Sequence, residues 1–339
     1  MAPETLVNYT DHPRKQVFRS QWASPLIQFI NTELKKNLVY LGLPGIGALD
    51  IKEWIKYLRI VYAFQCLDKD KTIVEAKEEF NNLQSELNKL TVSGKLEDYQ
   101  LYEGYMEQVV MGGFDDRAQE FNQNDYVTIY NLDFCNELTS PYPVVFENGK
   151  TKFHTKLDVI EKLLKIQSKF SLSKPHDKFL MFITVNSKFL ESDYDLIAEP
   201  FYKKYKKSIK NLIESDRMAR LIKAYAFYYL DQIFKNCSFQ VEFLPTMYYA
   251  GSGFYRDSLT NQRFPTMMQT FAILGTNNFE GIIPFKQNVE EYMNTKFLFA
   301  TDKTLANYNA KRIVETDFDV DPITAIKNTY TYKNLWAAS

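Results

Sequence analysis

Cysteine and histidine are scarce in this sequence of 339 residues, which holds three of the first (Cys66, Cys135, Cys237) and three of the second (His12, His154, His176). Such scattered cysteines exclude a disulfide framework and a Cys-rich zinc site, and three histidines leave little material for a metal centre. Net charge is nearly absent too. Forty-one Lys+Arg against 42 Asp+Glu give −1, so no global basic field announces a nucleic-acid partner. No apolar run approaches the ~20 residues that span a bilayer, and Met1-Ala2-Pro3-Glu4 opens without a basic and apolar signal pattern. The expectation is a soluble, cytoplasmic, reducing setting with no membrane partner. What is present is core material: 45% of residues are hydrophobic and 15% aromatic, a globular composition.

The pattern along the chain alternates. Trp22, Leu26, Ile27, Phe29, Ile30 and Leu34 recur at helical spacing, with Ser24 as N-cap and Pro25 in the first turn. Leu38 to Leu41 reads as a buried strand stopped by the glycine-rich turn Gly42-Leu43-Pro44-Gly45-Ile46-Gly47. Asp50 to Leu58 has helical spacing, Ile60 to Phe64 reads as a strand, and Thr72 to Leu90 as an amphipathic helix with Ile73, Val74, Phe80, Leu83 and Leu87 on one side. Gln108 to Met111 reads as a short strand before Gly113-Phe114-Asp115-Asp116, and Arg117 to Phe121 as a helical turn. Tyr126 to Phe134 is the clearest strand; after a loop at Ser140 to Lys150 come a helix over Leu157 to Phe170 and a central strand over Lys178 to Asn186. Strands alternating with helices predict a parallel α/β sheet, because parallel strands need crossovers. The last third differs: a helical region of about Leu196 to Phe234 precedes two strands, Phe239 to Leu244 and Thr266 to Leu274, with Tyr248 to Pro265 read as a loop. They predict an antiparallel pair at one end of the sheet. The expected organisation is an N-terminal helical arm (1–36), an α/β domain (37–276) and a C-terminal extension (277–339).

In an open parallel sheet, ligands bind at the carboxyl ends of the strands, near the topological switch point. The candidate loops there are Gly42 to Gly47, Gln65 to Asp68, Gly113 to Asp116 and Asn131 to Phe134. A glycine turn lets backbone approach a ligand and aims helix N-terminal amides at it. This order of Val39-Tyr40-Leu41-Gly42-Leu43-Pro44-Gly45, Val61 to Gln65, Gly113 to Asp116 and Tyr130-Asn131-Leu132-Asp133-Phe134 resembles the class I S-adenosylmethionine-dependent methyltransferases, over roughly residues 37 to 276. The resemblance implies a doubly wound, mostly parallel sheet with a terminal antiparallel hairpin, and S-adenosylmethionine as cofactor. It implies that Gly42, Gly45 and Gly47 lie near the methionine part, Gln65 or Asp68 at the ribose, and Phe114 and Asp115 at the adenine. Asn131 and Asp133 would border the substrate and orient it, and nucleic acid would be the substrate class.

Three positions depart from the family. Leu41 stands where it carries an acidic residue, Pro44 interrupts the glycine turn, and Gln65 replaces the ribose-binding carboxylate. They motivate an alternative: a methyltransferase-like binding or scaffold subunit that has lost catalysis. Another nucleotide-using α/β enzyme is a third option, but the sequence lacks a G-x-x-x-x-G-K-[ST] P-loop and a G-x-G-x-x-G fingerprint. Two further surfaces carry expectations. The basic run Lys203-Lys204-Tyr205-Lys206-Lys207, continued by Arg217, Arg220 and Lys223, suits a nucleic-acid face or a solvated helix. The aromatic segment Tyr248 to Arg256, read as an exposed loop, suits a substrate or protein partner.

Overall fold

The computed structural model describes residues 13–65, 72–134, 138–171, 178–187, 199–210, 217–256, 263–277, 287–299 and 321–336. Five parallel strands form its centre: β1 (Leu38–Gly42), β2 (Leu58–Phe64), β3 (Asp98–Tyr102), β4 (Ile129–Asp133) and, after a small hairpin of β5 (Tyr142–Val145) and β6 (Thr151–His154), β7 (Lys178–Asn186). Three longer-range partners follow: β8 (Phe239–Phe243), β9 (Met247–Arg256) and β10 (Arg263–Asn277), with a two-residue β11 (Leu298–Phe299) on β9. The order is β3-β2-β1-β4-β7-β10, and β10 runs antiparallel to β7. Both β8 and β9 pair with β10, at Ile273–Asn277 and Arg263–Thr270 respectively, so an antiparallel hairpin closes this side. The chain is therefore a doubly wound, mostly parallel α/β protein, and its direction of winding reverses between β1 and β4.

Alternation along each central strand divides the core into two layers. Leu38 and Tyr40 face the helices that come early in the chain, while Val39 and Leu41 face those that come late. The first layer holds an N-terminal rod made of α1 (Pro13–Val17), a π-helical turn (Phe18–Ala23) and α2 (Ser24–Leu34), together with α3 (Leu49–Trp54) and α4 (Ile73–Val92). Trp22, Leu26, Ile27, Ile30, Ile51 and Trp54 are all buried there, and Phe182 takes the rings of Phe18 and Trp54 at 5.4 and 6.2 Å. The second layer holds α5 (Lys156–Ser171) and the helix Arg217–Asn236, with Leu163, Leu164, Phe227, Leu230 and Phe234 buried against Leu41, Tyr130 and Met181. The helix Pro322–Lys327 returns to the rod, where Tyr332 meets Phe29 at 5.4 Å. Among the described residues no helix is long and apolar enough to cross a membrane.

Several local expectations change. Ser24 caps nothing: the rod is already helical from Pro13, and the Ser24 hydroxyl accepts the Trp54 indole N–H at 3.1 Å. Pro25 has no N–H to donate to the preceding turn, and the wider π-turn just before it absorbs that loss. The third strand is Asp98–Tyr102, not Gln108 to Met111, which forms a π-helical turn. Arg117 to Phe121 is not helical; Phe114 and Glu120 form an antiparallel bridge across it. Ile73 and Val74 are 78% and 75% exposed, and the buried side of α4 begins at Phe80. The loop at Ser140 to Lys150 contains β5 and leads into β6. The segment Tyr248 to Arg256 is not a loop but part of strand β9, paired with β10, and its Tyr249 is buried.

In the expected helical region the described residues form the helices Glu199–Lys210 and Arg217–Asn236, and the basic run extends over both. Lys223 is fully buried. It donates to the Thr295 carbonyl and hydroxyl oxygens at 2.7 and 2.9 Å, and lies 4.5 Å from the Phe297 ring centroid. Burial, with nearby Arg220, pushes its amine down from 10.5 to about 7. The unfolded chain then binds this proton where the folded chain does not, so stability rises with pH between about 7 and 10.5. Lys223→Met should flatten that rise relative to the wild type, as read by urea unfolding at the two ends of the interval.

Candidate functional site at the sheet switch point

The reversal between β1 and β4 places Gly42 beside Asn131. A Cβ on Gly42 would lie 2.2 Å from the Asn131 carbonyl oxygen and 2.8 Å from the Tyr40 hydroxyl, so only glycine lets the two strands meet here. Leu43 N–H then donates to the same carbonyl at 3.0 Å. The turn passes through Gly45 at φ 67° and Ala48 at φ 47°, and α3 starts at Leu49. Gly47 is half-buried in this turn. Leu41 points into the opposite layer, and Tyr40 is the β1 side chain on the α3 side.

Four side chains link across the switch point. The Asn131 amide donates to Asp50 at 2.7 Å and to the Tyr40 hydroxyl at 3.5 Å, and the other Asp50 oxygen accepts from Arg19 of the rod. Tyr40 is fully buried; burial first, then the Asp50 charge, hold its hydroxyl well above the ordinary range and therefore protonated. One turn earlier on the rod, Lys15 pairs with Asp133 Oδ2, while Asp133 Oδ1 is buried with no hydrogen-bond partner. Arg19, Asp50, Tyr40 and Lys15 were not singled out from sequence. The available signals were an acidic residue in the first turn of α3, which suits a helix N-terminus, and basic residues four apart at 15 and 19.

The remaining candidates lie farther along the sheet edge. Gln65 follows β2 and is buried; its amide donates to the Ala76 carbonyl at 2.6 Å and its oxygen accepts Gly104 N–H at 3.3 Å. Asp115 is 1% exposed and accepts the backbone N–H groups of Glu103, Arg117 and Gln119 at 3.0, 2.9 and 2.8 Å. It folds the 113–119 loop back onto the end of β3. Phe114 lines an open groove of about 410 Å³ with Gln108, Asp116, Tyr142 and Val145. Asp68, Cys66, Cys135, His12 and His176 lie outside the described residues. His154 Nδ1 is 3.7 Å from Asp158 at the end of β6, away from the switch point. The structure thus joins Gly42 with Asn131, sets Asp133 two residues on, and gives Gln65 and Asp115 to other elements.

A model of the PP_RS20740-like family matches residues 11–231. The chain belongs to the PP_RS20740-like family. No curated protein matches it by sequence. Among solved structures, this PP_RS20740-like chain is similar to a precorrin-6y C5,15-methyltransferase of Geobacter metallireducens (8% identity, TM-score 0.32, covering 75% of this chain and 89% of that one). It is similar to the YcgJ protein of Bacillus subtilis (8%, TM-score 0.37, 75% and 98%) and to the methyltransferase domain of bacterial CtHen1-C (10%, TM-score 0.34, 77% and 100%). The doubly wound assignment rests on the strand order and pairing of the PP_RS20740-like chain itself.

Two outcomes test this geometry. Gly42→Ala should cost roughly 1–3 kcal/mol in urea unfolding without any ligand present, because the overpacked Cβ meets backbone. Arg19→Met should cost up to roughly 3–5 kcal/mol, because it leaves the part-buried Asp50 charge with no cation and only the Asn131 amide, and adding Asp50→Leu should recover most of it.

Proposed function

We propose that this chain is a methyltransferase-like binding subunit whose donor site has been given over to internal structure. The observation that carries this is the commitment of the polar groups in which S-adenosylmethionine would be held. At the ribose position Gln65 ties α4 to the end of β3, using both ends of its amide. At the adenine position Asp115 already accepts three backbone N–H groups. Asn131 is held by Asp50, which Arg19 also engages. A ligand would have to break these bonds inside a low-dielectric setting, where an unpaired polar group is costly. Nor does the rod behave as a removable cover, since Val17, Trp22, Ala23, Leu26, Ile27 and Ile30 belong to the core. The described residues therefore do not fit the methyl donor, and no transfer step is derived through it.

One observation favours the transferase reading instead. Asp133 Oδ1 is buried and unpartnered at the end of β4, beside Asn131, where the family orients its acceptor. Under that reading the acceptor is nucleic acid, and Asp133→Ala abolishes transfer while the chain remains folded. Calorimetric titration of the full chain with S-adenosylmethionine, and separately with S-adenosylhomocysteine, decides between the two. The binding-subunit reading expects no heat from either ligand and no rise in melting temperature. Micromolar binding that Gly45→Arg weakens would overturn it and establish a working donor site.

A further inference from the structure

Helix Glu199–Lys210 has the sequence EPFYKKYKKSIK, with five lysines and one acidic residue. Its apolar side is anchored: Phe201 is fully buried, with the rings of Tyr205, Tyr228 and Tyr225 at 5.0, 5.6 and 5.8 Å. Lys203, Lys204 and Lys207 lie exposed along its solvent-facing edge, while Tyr202, Tyr205, Tyr228 and Tyr229 are half-buried among them. Lys204 Nζ sits 5.4 and 5.2 Å from the ring centroids of Tyr205 and Tyr228. Lys203 and Lys207 are one helical turn apart, about 6 Å along the axis. Farther along the basic run, Lys223 is buried and Arg220 donates to the Met293 carbonyl at 3.0 Å.

We propose that this lysine and tyrosine face binds single-stranded nucleic acid, with phosphates on Lys203, Lys204 and Lys207 and unpaired bases against the tyrosine rings. The occupant follows from the two chemistries together. Lysines alone would serve any polyanion, but aromatic rings placed between them match a strand that alternates phosphate and base. A membrane-binding helix needs its apolar side free to insert, whereas here Phe201 fills the space against helix Arg217–Asn236. The proposal goes beyond the binding-subunit reading by naming the partner, and it holds whether or not the donor site works.

The test is fluorescence anisotropy of a labelled single-stranded RNA of about 20 nucleotides with the full chain and no methyl donor, at salt between about 50 and 200 mM. The expected result is saturable binding that weakens steeply with salt. The triple variant K203E/K204E/K207E should bind at least ~10-fold more weakly, with a log–log salt slope smaller by about 2, since each phosphate contact on a single strand contributes ~0.7. The triple Gln variant should fall between, the triple Arg variant should bind like the wild type, and all should keep the wild-type melting temperature. Absent binding overturns the proposal, as does unchanged affinity in the Glu and Gln variants. Equal affinity for polyglutamate or for phosphatidylserine vesicles overturns it too, by showing that charge alone is recognised. Because no donor is added, these outcomes are independent of the donor titration.

Discussion

The approach of β1 to β4 at Gly42 and Asn131 fixes the geometry on which the rest of this sheet edge depends. A backbone carbonyl occupies the place where a side chain on residue 42 would begin, and the following amide donates to that carbonyl. The strand end, the turn and the start of α3 are therefore located by one close contact between main chains. Asp50 is carried on the first turn of α3, so the contact also sets where its carboxylate stands. A glycine that the family resemblance assigns to a ligand is thus required by the sheet before any ligand is considered.

From that carboxylate a polar chain extends in both directions, to Asn131 and Tyr40 on the strands and to Arg19 on the rod. Charges in such a setting are poor sources of net stability but strict about geometry, because a misplaced partner leaves a buried charge unpaired. The apolar residues of the rod provide its affinity for the sheet, and Lys15 and Arg19 provide its register against Asp133 and Asp50. The residues that set the register of the rod are therefore also the ones that meet the polar groups at the switch point.

How much of this was legible in the sequence follows from the kind of burial. β1, β4 and β7 are covered on both faces and read as continuous apolar runs, as in Leu38 to Leu41 and Lys178 to Asn186. β3 is a sheet edge with a mixed, half-exposed pattern, Asp98 to Tyr102, so the more apolar Gln108 to Met111 looks the better strand in the sequence. The sequence of β9 reads as a loop because glycines interrupt its aromatics, yet in the fold it pairs with β10. Asn131 and Asp133 could be placed at the carboxyl edge from order alone. Their partners could not, since Asp50 and Lys15 lie 81 and 118 residues away and only the fold brings them near. The lysines illustrate the same limit: Lys204 and Lys223 look alike in the sequence, and one is exposed while the other is sealed in the core.

The π-helical turn Phe18–Ala23 has a consequence for how this edge could change. A wider turn accommodates one more residue per revolution than an α-helix would, so it sets the rotation between the two halves of the rod. An α-turn one residue shorter covers nearly the same rotation, so the wide turn takes up one extra residue while Leu26, Ile27 and Ile30 and the preceding half both keep their phase on the sheet. Lys15 therefore meets Asp133 in register despite that extra residue. The register of the rod is in this sense encoded by helical phase, which a one-codon deletion in its α-helical parts would shift by about 100° and one in the wide turn would not.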